Sequence, residues 1–216
     1  MRINTDGVLL AAVANPVNTS RILDIGTGTG VIAMMMGQRF LEAQIDAVEI
    51  DDSAAMRADA NFKGSQFADR IQVVAADIGD YECAYKYELI ISNPPFFVND
   101  LKNPEGRKSL ARHATDDFFD KLVLKSATLL GDVGELWLIL PVKPADMVID
   151  KAQKAGLLLR KEISICSDIN KPVIRKIVAF GRKEVALKRE LFYIYESEGV
   201  YTDAYKYLLK DFFLAF

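Results

Sequence analysis

Asn93, Pro94, Pro95 and Phe96, in the stretch "SNPPFF", follow directly on the apolar run "YELIIS". Two consecutive prolines cannot extend a strand, because neither carries a backbone N–H and each ring fixes its own φ. What these residues can do is hold a planar amine. An exocyclic amine conjugated to an aromatic ring is a poor nucleophile, since its lone pair is delocalised. Two acceptors on its N–H groups, the Asn93 side-chain oxygen and the Pro94 carbonyl, draw the nitrogen toward tetrahedral geometry and aim the lone pair at an electrophile. Pro95 stiffens the turn, and Phe96 offers a flat face on which a flipped base stacks. The plain alternative is an Asx-Pro turn.

A second group lies upstream. "LDIGTGTG" places Gly26, Gly28 and Gly30 after Asp24, where tight turns and close backbone approach to a ligand exclude a Cβ. A dinucleotide fingerprint would need a small residue at position 31, and Val31 stands there. The spacing therefore points away from NAD and toward S-adenosyl-L-methionine, whose sulfonium methyl needs a positioned nucleophile and little acid-base help. Glu49 follows at the end of the next apolar run, where a carboxylate can accept both ribose hydroxyls. Asp77 ends the run after that, within reach of an adenine amino group. Each acid alone is also an ordinary strand-end residue. Together with the glycine loop and Asn93 they mark four successive strand C-termini, where ligands of open α/β sheets bind. Asp24 is expected to hold the loop and reach the methionine ammonium. Thr5 and Asp6, in "NTDG", either lie over the methionine carboxylate or cap a helix.

The elements that must position these residues alternate between short apolar runs and longer amphipathic stretches, the pattern of a parallel sheet covered on both faces. Strands are expected at 21–26, 44–50, 71–77, 87–92, 134–141, 161–166 and 175–182, with helices near 5–14, 30–41, 52–66, 117–130 and 143–155. "SDINKPVI" is too short for a helical crossover, so the last two strands should be antiparallel. The fold class expected is α/β, Rossmann-like: a seven-stranded, mostly parallel sheet with an antiparallel last strand, in one domain over 1–216.

Half of the 216 residues are hydrophobic, enough for one full core. No apolar run approaches the ~18 residues of a membrane span, and the start "MRINTDGVLL" has no signal-peptide pattern, so a cytoplasmic location is expected. Cys83, Cys166 and a single histidine leave neither a disulfide framework nor a metal site. The net charge of −3 is unevenly spread: residues 1–90 carry 7 basic and 13 acidic side chains, whereas 160–189 hold nine basic and three acidic ones. That basic stretch is either a solvated face or a surface for an anionic partner.

"LDIGTGTG" with "SNPPF" resembles the class I methyltransferases that act on planar amino groups. With "TDGVLL", "ARH" and the tail "YTDAYKYLLKDFFLAF", essentially the whole chain resembles the bacterial tRNA(Val)-specific adenine-N6 methyltransferase family. Members of that family carry a short segment ahead of the "TDG" motif, which here begins almost at Met1. The resemblance implies S-adenosyl-L-methionine as methyl donor and N6 of adenine 37, in the anticodon loop of a valine tRNA, as acceptor. It also implies a target-base role for Asn93, Pro94, Pro95 and Phe96, and a cofactor role for Asp24, Gly26, Glu49 and Asp77. A monomer is expected. RNA contacts are expected from the long connection after Phe97, through Lys102, Arg107, Lys108 and Arg112, and from Lys171, Arg175 and Lys176, although neighbours such as Arg175 and Lys176 point to opposite faces of a strand. An anticodon-loop base is already unpaired, which lowers the cost of extruding it. Rival readings are an rRNA guanine-N2, DNA adenine-N6 or protein glutamine-N5 methyltransferase, or a non-catalytic RNA-binding protein with the same fold. A resemblance to the glutamine enzymes would imply a separate helical N-terminal domain, which is not expected here, and usually a tyrosine after the prolines, where Phe96 stands instead.

Overall fold

The computed structural model describes residues 5–95 and 105–213, with only the backbone described over 105–115. In chain order the elements are α1 (Thr5–Val13), β1 (Arg21–Ile25), α2 (Val31–Arg39), β2 (Gln44–Glu49), α3 (Asp52–Lys63), β3 (Ile71–Ala75) and β4 (Tyr87–Ser92). There follow α4 (Glu105–Leu129), β5 (Leu130–Leu140), α5 (Val142–Lys154), β6 (Leu158–Cys166), β7 (Val173–Gly181) and β8 (Lys188–Tyr193). A small hairpin, β9 (Tyr195–Ser197) with β10 (Val200–Tyr201), and α6 (Asp203–Leu209) complete the chain.

Strands covered on both faces by helices read as mostly apolar runs, and β1 and β4 do so apart from the internal Asp24 and Glu88, with Ile22, Leu23, Leu89, Ile90 and Ile91 fully buried. Eight strands form the main sheet in the order β3-β2-β1-β4-β5-β7-β6-β8. The first five are mutually parallel; β7 runs antiparallel to both β5 and β6, and β8 pairs parallel with β6. Alternation along the strands divides the core. One face packs Ile22, Ile91, Ile139 and Ile177 against α1, α2, α3 and α6. The other packs Leu23, Ile90, Leu138 and Val178 against α4 and α5.

All seven expected strands are present, and the short 167–172 connection joins an antiparallel pair, as its length required. The sheet gains an eighth strand, β8, which alternation did not reveal because Lys188, Arg189 and Glu190 are exposed at the sheet edge. The expected long connection after Phe97 is shorter than its sequence suggested. Helix α4 begins at Glu105 rather than near 117, because its early turns lack the apolar stripe by which a helix is recognised.

Candidate active site

The site is assembled where β1 to β4 end. After β1 the chain turns through Gly26, Gly28 and Gly30 with φ of 70°, 60° and 91°, backbone that L side chains rarely adopt. At Gly30, which opens α2, a Cβ would stand 2.3 Å from the Phe62 ring. The N–H groups of Gly26 and Thr27 both donate to the Val48 carbonyl, at 2.8 and 3.2 Å, tying the loop to β2. Asp24 lies beneath the loop, fully buried. Its Oδ2 accepts from Thr27 Oγ1 at 2.6 Å and from the Ala33 N–H at 3.2 Å, so one carboxylate clamps the loop to α2. Burial pushes the Asp24 pKa from 3.8 to about 7; the Thr27 and Ala33 hydrogen bonds oppose the shift and the negative Glu49 adds to it.

Glu49 closes β2 with its carboxylate turned to the loop. Oε2 accepts from the Gly28 N–H at 2.8 Å and Oε1 from the Asp51 N–H at 3.0 Å, leaving lone pairs on both oxygens. Asp51 in turn caps α3 by accepting from the Ala54 N–H at 2.7 Å. Beyond β3, Asp77 accepts from the Gly79 N–H at 2.7 Å and stands 3.8 Å from Lys121 Nζ on α4. At the end of β4, Ser92 Oγ donates to the Ile25 carbonyl at 2.7 Å, fastening that strand to the start of the glycine loop. Asn93 comes next, and its buried Oδ1 has no hydrogen-bond partner among the described residues. A buried acceptor left without a donor is costly unless a ligand supplies one.

These strand ends border one cavity of about 980 Å³. Gly26, Gly28, Glu49, Asp77 and Asn93 line it, and Pro94 and Pro95 close one side, with Pro94 buried and Pro95 exposed. Asp24 and Gly30 shape the loop from behind. From the N-terminal motif it is Gly7, the residue after Thr5 and Asp6, that reaches the cavity. Asp6 accepts from Arg175 Nε at 2.7 Å. The lining also contains Ile50, Ile78, Phe118 and Lys121, which sequence reasoning did not select. Ile50 stands out only once the fold is known: directly after a strand-end acid and 68% exposed, it faces the cavity rather than the core. Phe118 and Lys121 come from α4, and no local pattern announces that this helix reaches the cavity.

The basic residues behave differently from one another. Lys171 is exposed on the turn between β6 and β7. Lys176 lies on the α5 side, with Nζ 2.7 Å from Asp146 and 2.9 Å from Glu162, so its charge is already matched. Arg175 takes the opposite face, as strand alternation requires. Arg107, Lys108 and Arg112 fall on the first turns of α4, where side chains lie outside the described residues, as do Phe96 and Lys102 altogether. No helix among the described residues is long and apolar enough to cross a membrane.

A glycine-turned loop after the first strand of a sheet ordered in this way, with ligand-facing residues at the ends of four parallel strands, is the arrangement of the class I methyltransferases. Consistent with that fold, a predicted O-methyltransferase from Agrobacterium tumefaciens superposes with a TM-score of 0.73 at 20% identity, over 95% of this chain and 96% of that one. Residues 4–147 match the family model described as methyltransferase small domain. The tRNA1(Val) (adenine(37)-N6)-methyltransferase of Pedobacter heparinus is 52% identical over 216 residues, which is 100% of this chain and 92% of the relative. That of Actinobacillus pleuropneumoniae serotype 7 is 38% identical over 215 residues, 99% of this chain and 91% of the relative. The chain belongs to this family of tRNA1(Val) (adenine(37)-N6)-methyltransferases, and it is a methyltransferase.

Proposed function

We propose that this chain transfers a methyl group from S-adenosyl-L-methionine to the exocyclic N6 of adenine 37 in the anticodon loop of tRNA1(Val). The observation that carries the chemistry is the buried, unpartnered Oδ1 of Asn93 at the cavity whose other side is the glycine loop. An N–H of an aromatic amine satisfies that oxygen, and the Pro94 carbonyl is the second acceptor. The specificity for this tRNA position rests on relatives up to 52% identical over the full length of the chain.

The residues present suit the cofactor. At Gly26 a Cβ position faces open space within 4 Å, which leaves room for a ligand to lie against the backbone. Glu49 retains acceptor capacity for two ribose hydroxyls, and Ile50 and Ile78 offer apolar faces beside Asp77 for a flat heterocycle. When bound, the cofactor supplies an electrophilic methyl on a positively charged sulfur. The protein's own part is positional. Asn93 and Pro94 orient the amine lone pair and Pro95 holds the turn; as N6 takes the methyl carbon, that carbon's bond to sulfur breaks with both electrons left on sulfur, and N6 gives up one proton to water. Phe96 is assigned to stack on the target base. Lys102, Arg107, Lys108 and Arg112 are assigned to the phosphates around it, with Lys171 at the end of the neighbouring hairpin.

Methyl transfer to total tRNA, followed by nucleoside analysis of the purified valine isoacceptor, tests the reading. N6-methyladenosine at position 37 is the expected product. A methylated guanine, or label in protein rather than RNA, would overturn it.

A further inference from the structure

The first turn of α1 carries Asp6 and Gly7, which look in different directions. Gly7 is buried and lines the cavity, and a Cβ built on it would meet Asn93 Nδ2 and the Ile32 side chain at 3.4 Å. Asp6 turns away from the cavity to accept from Arg175 Nε at 2.7 Å, with the two side chains 18% and 31% exposed. Arg175 is fixed in turn. It sits in β7, in register with Ile165 of β6, and its Nη1 donates to the Ile174 carbonyl at 2.9 Å. β7 is thereby joined through the Arg175–Asp6 ion pair to the helical turn that packs beside the amine-binding asparagine.

We infer that Arg175 is a positioning residue for methyl transfer: by holding Asp6 it sets the first turn of α1 against Asn93, and so fixes the orientation of the Asn93 amide. This rests on the reading of Asn93 given above. Asn93 has an unpartnered Oδ1, so no hydrogen bond on that oxygen fixes the plane of its amide; packing must do so. Gly7 supplies that packing because, lacking a side chain, it lets the helix backbone come close. A first helical turn frays readily, since its N–H groups lack intrahelical partners, and an anchor outside the helix opposes the fraying. The partly exposed guanidinium thus acts inward, on catalysis, where its place in a basic stretch suggested an outward, phosphate-binding role.

A double-mutant cycle on Arg175→Gln and Asp6→Asn tests this, read both as turnover on total tRNA and as cofactor affinity by calorimetry without RNA. Each single variant is expected to lower kcat by about 3- to 10-fold with KM for tRNA nearly unchanged, and to weaken cofactor binding through Gly7 by a smaller factor. The double variant should be no worse than either single one, and Arg175→Lys should recover part of the loss. Thermal midpoints are measured alongside to confirm that each variant is folded. Three results would overturn the inference: multiplicative effects in the double variant, unchanged kcat and cofactor affinity in both singles, or an Arg175→Gln variant whose defect lies in tRNA affinity and its salt dependence. Because the calorimetric arm needs no RNA, a wrong assignment of the acceptor would appear as absent wild-type transfer while the coupling still stood or fell on binding.

Discussion

Replacing Asn93 by alanine deletes an acceptor that is used chiefly as the amine rehybridises, so methyl transfer should fall by at least ~10²-fold while calorimetry finds cofactor affinity little altered. Unchanged turnover would remove Asn93 from the mechanism. Asp24 makes a different prediction, one of stability. Its folded pKa of about 7 lies above the ordinary 3.8, so its protonated form is the one the fold favours. Its stabilising contribution is complete below about pH 4 and is lost as pH rises through about 7, at up to ~1.4 kcal/mol per pH unit from this group. Asp24→Asn cannot titrate, and urea unfolding between pH 5 and 8 should show a flatter profile for the variant than for the parent. Residues of this kind were legible in the sequence because each stands beside a strand end that local pattern exposes. The Asp6–Arg175 pair was not: its members are 169 positions apart, and sequence assigns a charge without assigning its partner.

At the scale of elements, legibility followed burial. Strands such as β1 and β4 declare themselves through short, mostly apolar runs, whereas β8 carries its polar residues at an open edge and α4 starts with a stretch whose sequence shows no apolar stripe. The seven-residue α6 is too short for periodicity to stand out. Where elements meet, the fit is close enough to test. Gly30 opens α2 with φ 91° and its absent Cβ would overlap Phe62, so Gly30→Ala should cost about 2 to 4 kcal/mol by combining left-handed strain with overpacking. Denaturant unfolding measures that loss. A variant as stable as the parent would mean that α3, which carries Phe62, moves aside freely.

For the whole molecule, a net charge of −3 must still accommodate a polyanion, so tRNA affinity should fall steeply with salt while cofactor affinity does not. Lys171→Ala should lower the slope of log K against log salt by about 0.7 to 0.9. Lys176→Ala should leave that slope alone and instead reduce stability by ~1 kcal/mol, since it removes the nearer of the two cations on the largely buried Glu162 and leaves only Arg189, 3.6 Å away and exposed. The reverse pattern would place Lys176, not Lys171, on the RNA. The sheet order has one more consequence, for synthesis on the ribosome. Strands β1 to β4, which shape the cofactor cavity, have been made by residue 92, yet β5 waits: its outer neighbour is β7, and β6 emerges first. Until residue 181 has been added, the apolar Leu136–Leu140 edge has no native strand to cover it, and β6 cannot take that place without reversing the order of the sheet. Native closure of that edge therefore waits for β7, and the interval before it arrives is when the unfinished protein is most exposed to joining the wrong strand.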